Sequence, residues 1–268
     1  MTIPLLHTSP TSVASPAALP TELPTALPTV FPLVARVLGC LLPIPCPGCA
    51  RPPDPRRPAS GLCSTCRRVL SGQVARRGLL PGQESVPLWW ALAYRDAPAR
   101  LILSFKNHDR VDLCRALADP LARAIRAAQP RESALPPPIL VPVPGRAAGF
   151  RRRGYHPVVS LLRAAGQRPR HLLSWAREPG DQLGLSIAER AHNLRHAMRA
   201  RPVPARLGSP SLTHDANLAS VWVVDDVCTT GATLREAIRA LSAQGVVAAG
   251  ALVLARAPRR GASNPSRN

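Results

Sequence analysis

From residue 88 onward, short apolar runs alternate with longer alanine- and leucine-rich stretches whose apolar positions recur every three to four residues. The short runs, at 88–94, 139–143, 171–175, 221–224 and 246–254, read as strands because they are brief and closed by polar residues or glycine. The longer stretches, at 97–105, 113–128, 156–165, 186–200 and 232–243, read as helices. Ser186 followed by Glu189 is a capping-box pattern. Asp119-Pro120 suits a cap and a first helical position, which divides 113–128 into two pieces. Strands and helices in this order predict an α/β fold, with a parallel sheet flanked by helices on both faces. Ligands of such sheets bind outside the carboxyl ends of the strands.

The first 87 residues lack this rhythm. Residues 1–30 are rich in Pro, Thr, Ser and Ala without period, the composition of a disordered tail. Residues 31–45 form an apolar lead-in, expected as one helix docked on a small cysteine module that runs to residue 70. Residues 71–87 read as a Pro/Gly-rich connection, 88–258 as the α/β domain, and 259–268 as a polar tail. No apolar run approaches the about 18 residues a membrane span needs, and no lysine or arginine precedes Arg36, so a good signal or transit peptide is not expected. A cytoplasmic location is the expectation.

The formal charge is +20 and the pI about 11.6. Such a charge attracts polyanions. Almost all of the basic residues are arginine, which a GC-biased coding sequence also yields, so contact with single-stranded DNA stays open.

Cys46-Pro47-Gly48-Cys49 and Cys63-Ser64-Thr65-Cys66 are two C-x-x-C knuckles 13 residues apart. Their four thiolates suit one tetrahedral Zn²⁺, and four protein ligands leave no open position, so the metal is expected to be structural. Disulfides compete poorly in a cytoplasmic chain. A single redox site of the thioredoxin kind would need one knuckle in a βα setting.

The chemistry concentrates at the end of the 221–224 run. Asp225 and Asp226 follow it, and then Val227, Cys228, Thr229, Thr230, Gly231, Ala232 and Thr233 lead into a helix. Backbone N–H groups at a helix start carry partial positive charge, and threonine hydroxyls and a close-approach glycine complete a phosphate cradle. Carboxylates alone would repel a phosphate. Beside a cradle they suit a ligand with both phosphate and hydroxyls, such as a ribose 5-phosphate; an ordinary βα turn with two solvated aspartates is the plainer alternative. A response-regulator receiver would need a downstream lysine, but the only lysine is Lys106; a P-loop would need Gly-Lys-Ser/Thr, which does not occur.

This stretch closely resembles the signature by which type I phosphoribosyltransferases bind phosphoribosyl pyrophosphate (PRPP). The resemblance implies that the acidic pair takes the ribose 2′ and 3′ hydroxyls and the Thr/Gly loop the 5′-phosphate. Further matches are Lys106 followed by Asn107-His108-Asp109; Val141-Pro142-Val143-Pro144; Arg153-Gly154-Tyr155; Asp181-Gln182 with Leu185; and Glu189-Arg190 with Asn193. With the paired knuckles, they make residues 36–258 resemble the ComF family of competence-associated proteins. That resemblance implies an N-terminal zinc module, a type I phosphoribosyltransferase fold, Mg²⁺ bound with PRPP, and a link to the competence DNA-uptake machinery. It also implies transfer of a phosphoribosyl group to an acceptor the sequence does not identify; a PRPP-sensing regulator without turnover and a DNA-binding competence component remain alternatives. Cations for the pyrophosphate would come from Mg²⁺ and from Lys106, Arg146, Arg151, Arg152 or Arg153, the arginines lying on the loop after the 139–143 strand; a solvated charge run is the competing account of that cluster. Two departures stand out. His156-Pro157 follows Tyr155 where the family has an Asn-Gln pair, and Thr229 occupies the place of the acidic residue that purine-salvage relatives use for the base.

Overall fold

In a computed structural model of the chain, the residues described are 44–56, 61–107, 110–129, 136–178, 187–202 and 220–258. The 1–30 and 259–268 tails, most of the 31–45 lead-in, His108, Asp109, Asp181, Gln182, Leu185 and Ser186 lie outside them. The elements run in the order α1 (Ser64–Ser71), β1 (Arg76–Leu80), β2 (Gln83–Ala93), α2 (Asp96–Asn107), a 3-10 turn (Val111–Leu113), α3 (Cys114–Ala128) and β3 (Ile139–Pro142). They continue with α4 (Ala147–Arg153), α5 (Pro157–Ala164), β4 (Leu173–Trp175), α6 (Ile187–Leu194), β5 (Met198–Ala200), β6 (Val221–Cys228), α7 (Ala232–Ser242) and β7 (Ala248–Arg256).

The main sheet has the order β1-β2-β7-β6-β3. Strands β2, β7, β6 and β3 are parallel, and β1 closes one edge as an antiparallel hairpin partner of β2. The strand cores are apolar on both faces, as a sheet covered on both sides requires: Val221 to Val224 and Gly250 to Ala255 are buried without a break. One face packs against α1, α2, α3 and α5 through Leu101, Ile102, Phe105, Leu117, Leu121 and Leu161. Full burial of each large side chain contributes about 2 kcal/mol. The other face is covered by α7, with Leu234, Ala237, Ile238 and Leu241, and by the small β4–β5 hairpin. The fold is thus α/β with a mostly parallel sheet between helical layers. Three of the knuckle cysteines, Cys46, Cys63 and Cys66, belong to the same apolar cluster as α2 and α3.

Four local differences from the sequence expectations have physical causes. The 71–87 connection contains β1 and the start of β2, turned by Pro81-Gly82, a favoured turn pair. The 113–128 helix is not divided: Pro120 sits buried inside α3, whose other side chains anchor both halves to the sheet. The expected 186–200 helix stops at Leu194. His196 takes a left-handed φ of 53°, and the Met198 N–H is taken by the Glu236 carboxylate at 2.9 Å, so 198–200 becomes a strand instead. The 146–153 segment is a short helix rather than a loop.

Candidate functional site

The site is built where β6 outlasts its edge neighbour β3. β3 pairs with β6 only as far as Pro142 opposite Val224, and the Val143 N–H closes on the Val224 carbonyl at 2.9 Å. β6 runs on for four residues, paired only with β7. Asp225 and Asp226 therefore lie inside the strand, not after it as the sequence suggests, at the carboxyl rim of the sheet. Asp226 is 8% exposed. Its N–H donates to Asp225 Oδ1 at 2.8 Å, and its own Oδ2 receives Lys106 Nζ at 2.8 Å. Burial, and then repulsion by Asp226, push the Asp225 carboxyl up to about 7. Burial works against the Lys106 charge, but attraction to Asp226 outweighs it and holds the ammonium above its ordinary range.

Lys106 comes from the last turn of α2, and the same corner gathers the arginines. Arg153 donates to the Lys106 carbonyl at 3.0 Å and Arg152 to Asn107 Oδ1 at 3.0 Å, so the end of α4 is tied to the end of α2. Arg153 Nε is buried without a hydrogen-bond partner among the described residues. Arg151 is exposed, and Arg146 stands at the start of α4. Lys106, Arg152 and Arg153 are brought together; among the described residues no contact places Arg146 or Arg151 on the acidic pair.

Beyond the acidic pair the chain turns at Thr229 and Thr230. Gly231 has φ +74°, a left-handed conformation that costs other residues about 1–2 kcal/mol, and α7 starts at Ala232. A Cβ on Gly231 would stand 3.0 Å from Leu80 Cδ1 and 3.0 Å from the Pro81 carbonyl, so the tip of the β1–β2 hairpin presses on the turn. Arg235 fastens the two, donating to the Pro81 carbonyl and, at 2.9 Å, to the Thr230 carbonyl. The Thr230 hydroxyl faces the Ala232 N–H at 3.5 Å. A cavity of 510 Å³ borders α7, lined by Arg195, Arg235, Glu236 and Arg239 among others, and does not include the acidic pair.

Sequence reasoning missed Arg235 and Glu236; both sit in a helix whose other charged residues look like ordinary surface. It also left His156 without a role. His156 caps α5, its Nδ1 accepting the Val159 N–H at 3.4 Å, with Pro157 as the first helical residue. Burial, and then His171, hold its imidazole below its ordinary value. Tyr155 donates its hydroxyl to the Phe105 carbonyl and packs its ring 5.4 Å from that of Phe105.

The second constellation is the cysteine cluster. The four Sγ atoms of Cys46, Cys49, Cys63 and Cys66 lie within 4.8 Å of one another, all as free thiols, with Cys49 and Cys63 at 3.3 Å. A zinc tetrahedron with bonds of about 2.3 Å has sulfurs about 3.8 Å apart, so the cluster fits Zn²⁺. Burial pushes the Cys63 and Cys66 thiols up; at Cys63 the Cys66 N–H and the neighbouring thiols outweigh it and bring it down to about 7, whereas Cys66 stays well above its ordinary value. Glycine is required between the first two cysteines, because a Cβ on Gly48 would lie 2.7 Å from Cys66 Sγ. Three arginines of the body donate to carbonyls of this region: Arg100 to Gly48 at 2.7 Å, Arg110 to Gly61 at 3.5 Å and Arg123 to Gln73 at 3.2 Å. For Mg²⁺ the acidic pair supplies the hard oxygen donors that ion prefers, although one Asp226 oxygen already holds Lys106. Among the described residues, no helix is long and apolar enough to cross a membrane.

No protein-family model matches the chain, and no curated protein matches it. Among solved structures, an adenine phosphoribosyltransferase from Leishmania donovani is similar at 13% identity and a TM-score of 0.30, over 76% of this chain and 86% of that one.

Proposed function

We propose that the chain binds PRPP or a related ribose 5-phosphate, together with Mg²⁺, at the carboxyl end of β6. The observation that carries the proposal is the largely buried carboxylate pair on an interior parallel strand, followed at once by a Thr-Thr-Gly turn and the start of α7. In this reading Asp225 and Asp226 take ribose hydroxyls, directly or through the metal. Val227 to Thr233 form the 5′-phosphate cradle, with Thr229, Thr230, Gly231 and Thr233 as its donors. Mg²⁺, when bound, would help neutralise the pyrophosphate. Arg146, Arg151, Arg152, Arg153 and Lys106 are the protein's cations for it. The reaction is transfer of the phosphoribosyl group to an acceptor, with the β6 rim holding the ribose while the carbon–pyrophosphate bond breaks. Membership of the ComF family and a part in DNA uptake belong to the same proposal; they rest on the sequence motifs. Structural zinc at the four cysteines completes it.

Calorimetry tests the reading. PRPP with Mg²⁺ should bind the wild-type protein, and Asp225→Ala and Asp226→Ala should each weaken binding at least about tenfold, as loss of a charged contact does, while zinc content stays unchanged. Equal affinity in all three proteins, or no binding at all, ends the proposal. Pyrophosphate release on adding an acceptor separates a transferase from a PRPP-sensing regulator.

A second reading has one observation in its favour. The chain carries +20 charges, and Arg56 and Arg68 stand exposed beside the cysteine cluster. A surface of that kind suits the phosphates of single-stranded DNA.

A further inference from the structure

Lys106 is the only lysine among 35 basic residues, and it is the residue that meets the acidic pair. In a chain that uses arginine everywhere else, this position has the one cation that behaves as a point charge. An arginine fork would grip both oxygens of Asp226 at once. The lysine ammonium holds a single oxygen at 2.8 Å and sits on a flexible four-carbon stem whose side chain is 33% exposed, against 10% for Asp226. The lysine can leave; the carboxylate cannot.

Among the described residues, the surroundings leave no other cation on the pair. The Asp225 carboxyl is met by the neutral Asp226 N–H and by the Asp226 side chain, and burial holds the imidazole of His156 toward its uncharged form. The flanking Tyr94 hydroxyl adds no positive charge, and Arg152 and Arg153 are turned to Asn107 Oδ1 and the Lys106 carbonyl. Two adjacent carboxylates on one strand need a counter-cation, and Lys106 supplies it.

We propose that Lys106 is the resident counter-cation of Asp225 and Asp226, that a divalent cation binds the pair only by displacing it, and that Lys106 thereby sets the metal requirement of the site. A divalent ion and an ammonium cannot share Asp226 without strong mutual repulsion. On displacement the ammonium swings outward, toward the solvent or toward phosphate oxygens of a bound ligand. The role in a ribose-phosphate site rests on the function proposed above; the competition for the carboxylates does not.

Mn²⁺ binding, followed by electron paramagnetic resonance on the full-length, zinc-loaded protein without PRPP, reads the competition directly. Lys106→Met should bind Mn²⁺ at least about tenfold more tightly than wild type, and Lys106→Arg more weakly than wild type. Asp226→Ala combined with Lys106→Met should abolish the gain. A lysine that merely buttressed the fold would give the opposite sign, with affinity falling in Lys106→Met. Unchanged or weaker Mn²⁺ binding in Lys106→Met overturns the proposal. Should that variant not fold, Lys106→Gln replaces it: tighter Mn²⁺ binding is expected again, and unchanged or weaker binding overturns the proposal in the same way. A parallel PRPP titration of the wild type keeps the two ideas apart. Tighter Mn²⁺ binding with no PRPP binding upholds the role of Lys106 and removes the ribose-phosphate reading, whereas PRPP binding without the Mn²⁺ gain does the reverse.

Discussion

Two charged pairs in this protein do different work, and burial decides which. The Lys106–Asp226 pair lies at the rim, where one partner can be exchanged. Glu236 is 6% exposed and held from three sides, by Arg239 Nε and the second Arg239 nitrogen at 2.8 Å each and by the Met198 N–H at 2.9 Å. It fastens the β4–β5 hairpin to α7. Burial pushes its carboxyl up, but the Arg239 guanidinium and the Met198 N–H outweigh it and keep it below the ordinary 4.5. A carboxyl lowered by folding contributes stability that is present above about pH 4.5 and lost as pH falls through the folded value. Glu236→Gln should therefore cost about 2 kcal/mol near pH 7, less than a fully buried pair because Arg239 stays more than one-third exposed. The difference in melting temperature from wild type should shrink once the pH drops below about 4. A difference that stays constant from about pH 7 to about pH 3 would show that the charge of Glu236 contributes nothing. Nothing in Leu234-Arg235-Glu236 marks this residue in the sequence, because its partners are a backbone N–H 38 residues away and a helix neighbour.

At the scale of elements, α2 links the two constellations. Arg100 donates to the Gly48 carbonyl of the first knuckle, Leu101 packs 3.3 Å from where a Gly48 Cβ would stand, and Lys106 reaches Asp226 at the other end of the helix. Arg100 and Lys106 lie about 9 Å apart along the helix axis. Removal of the zinc proposed for the four cysteines would free the knuckles to move and remove the support that α2 takes from them. Chelation should thus raise hydrogen exchange across 96–107 while β7, deep in the sheet, stays protected; equal protection of α2 with and without metal would disconnect the two sites. The sequence made most of these elements legible. Strands 139–142, 221–228 and 248–256 and helices 96–107 and 232–242 carry their own periodicity and stand where the pattern put them, within a few residues. It failed where a distant partner overrides local preference. The helix expected to run to residue 200 yields to the Glu236 carboxylate at Met198, and Pro120 is kept helical by packing on both sides. The cysteine knuckles were legible for a related reason: the four thiols that the structure gathers are marked by local spacing. Lys106, far along the chain from Asp226, could be named as a candidate but its partner could not.

The whole molecule presents an excess of positive charge around a site that is itself acidic. With +20 formal charges and arginines on every layer, the protein will attract polyanions over a Debye length of about 10 Å at moderate salt. Arg51, Arg56 and Arg68 are exposed on the cysteine module, while Arg67 is half-buried there. Attraction by charge alone has a definite signature. Single-stranded DNA should bind at about 20 mM salt with little sequence preference, and affinity should fall by orders of magnitude toward about 200 mM as released counterions lose their advantage. Arg56→Ser with Arg68→Ser should flatten the slope of log affinity against log salt by about one to two units if those side chains touch phosphates. Excess PRPP adds the deciding arm. The proposed ribose-phosphate site lies at the β6 rim and these arginines on the cysteine module, so PRPP should leave DNA affinity unchanged at constant ionic strength. Competition between the two would instead place the DNA at the acidic pair and its neighbouring Lys106, Arg152 and Arg153. A titration at about 20 mM salt with no association removes DNA as a partner, since no higher salt can restore a contact made by charge.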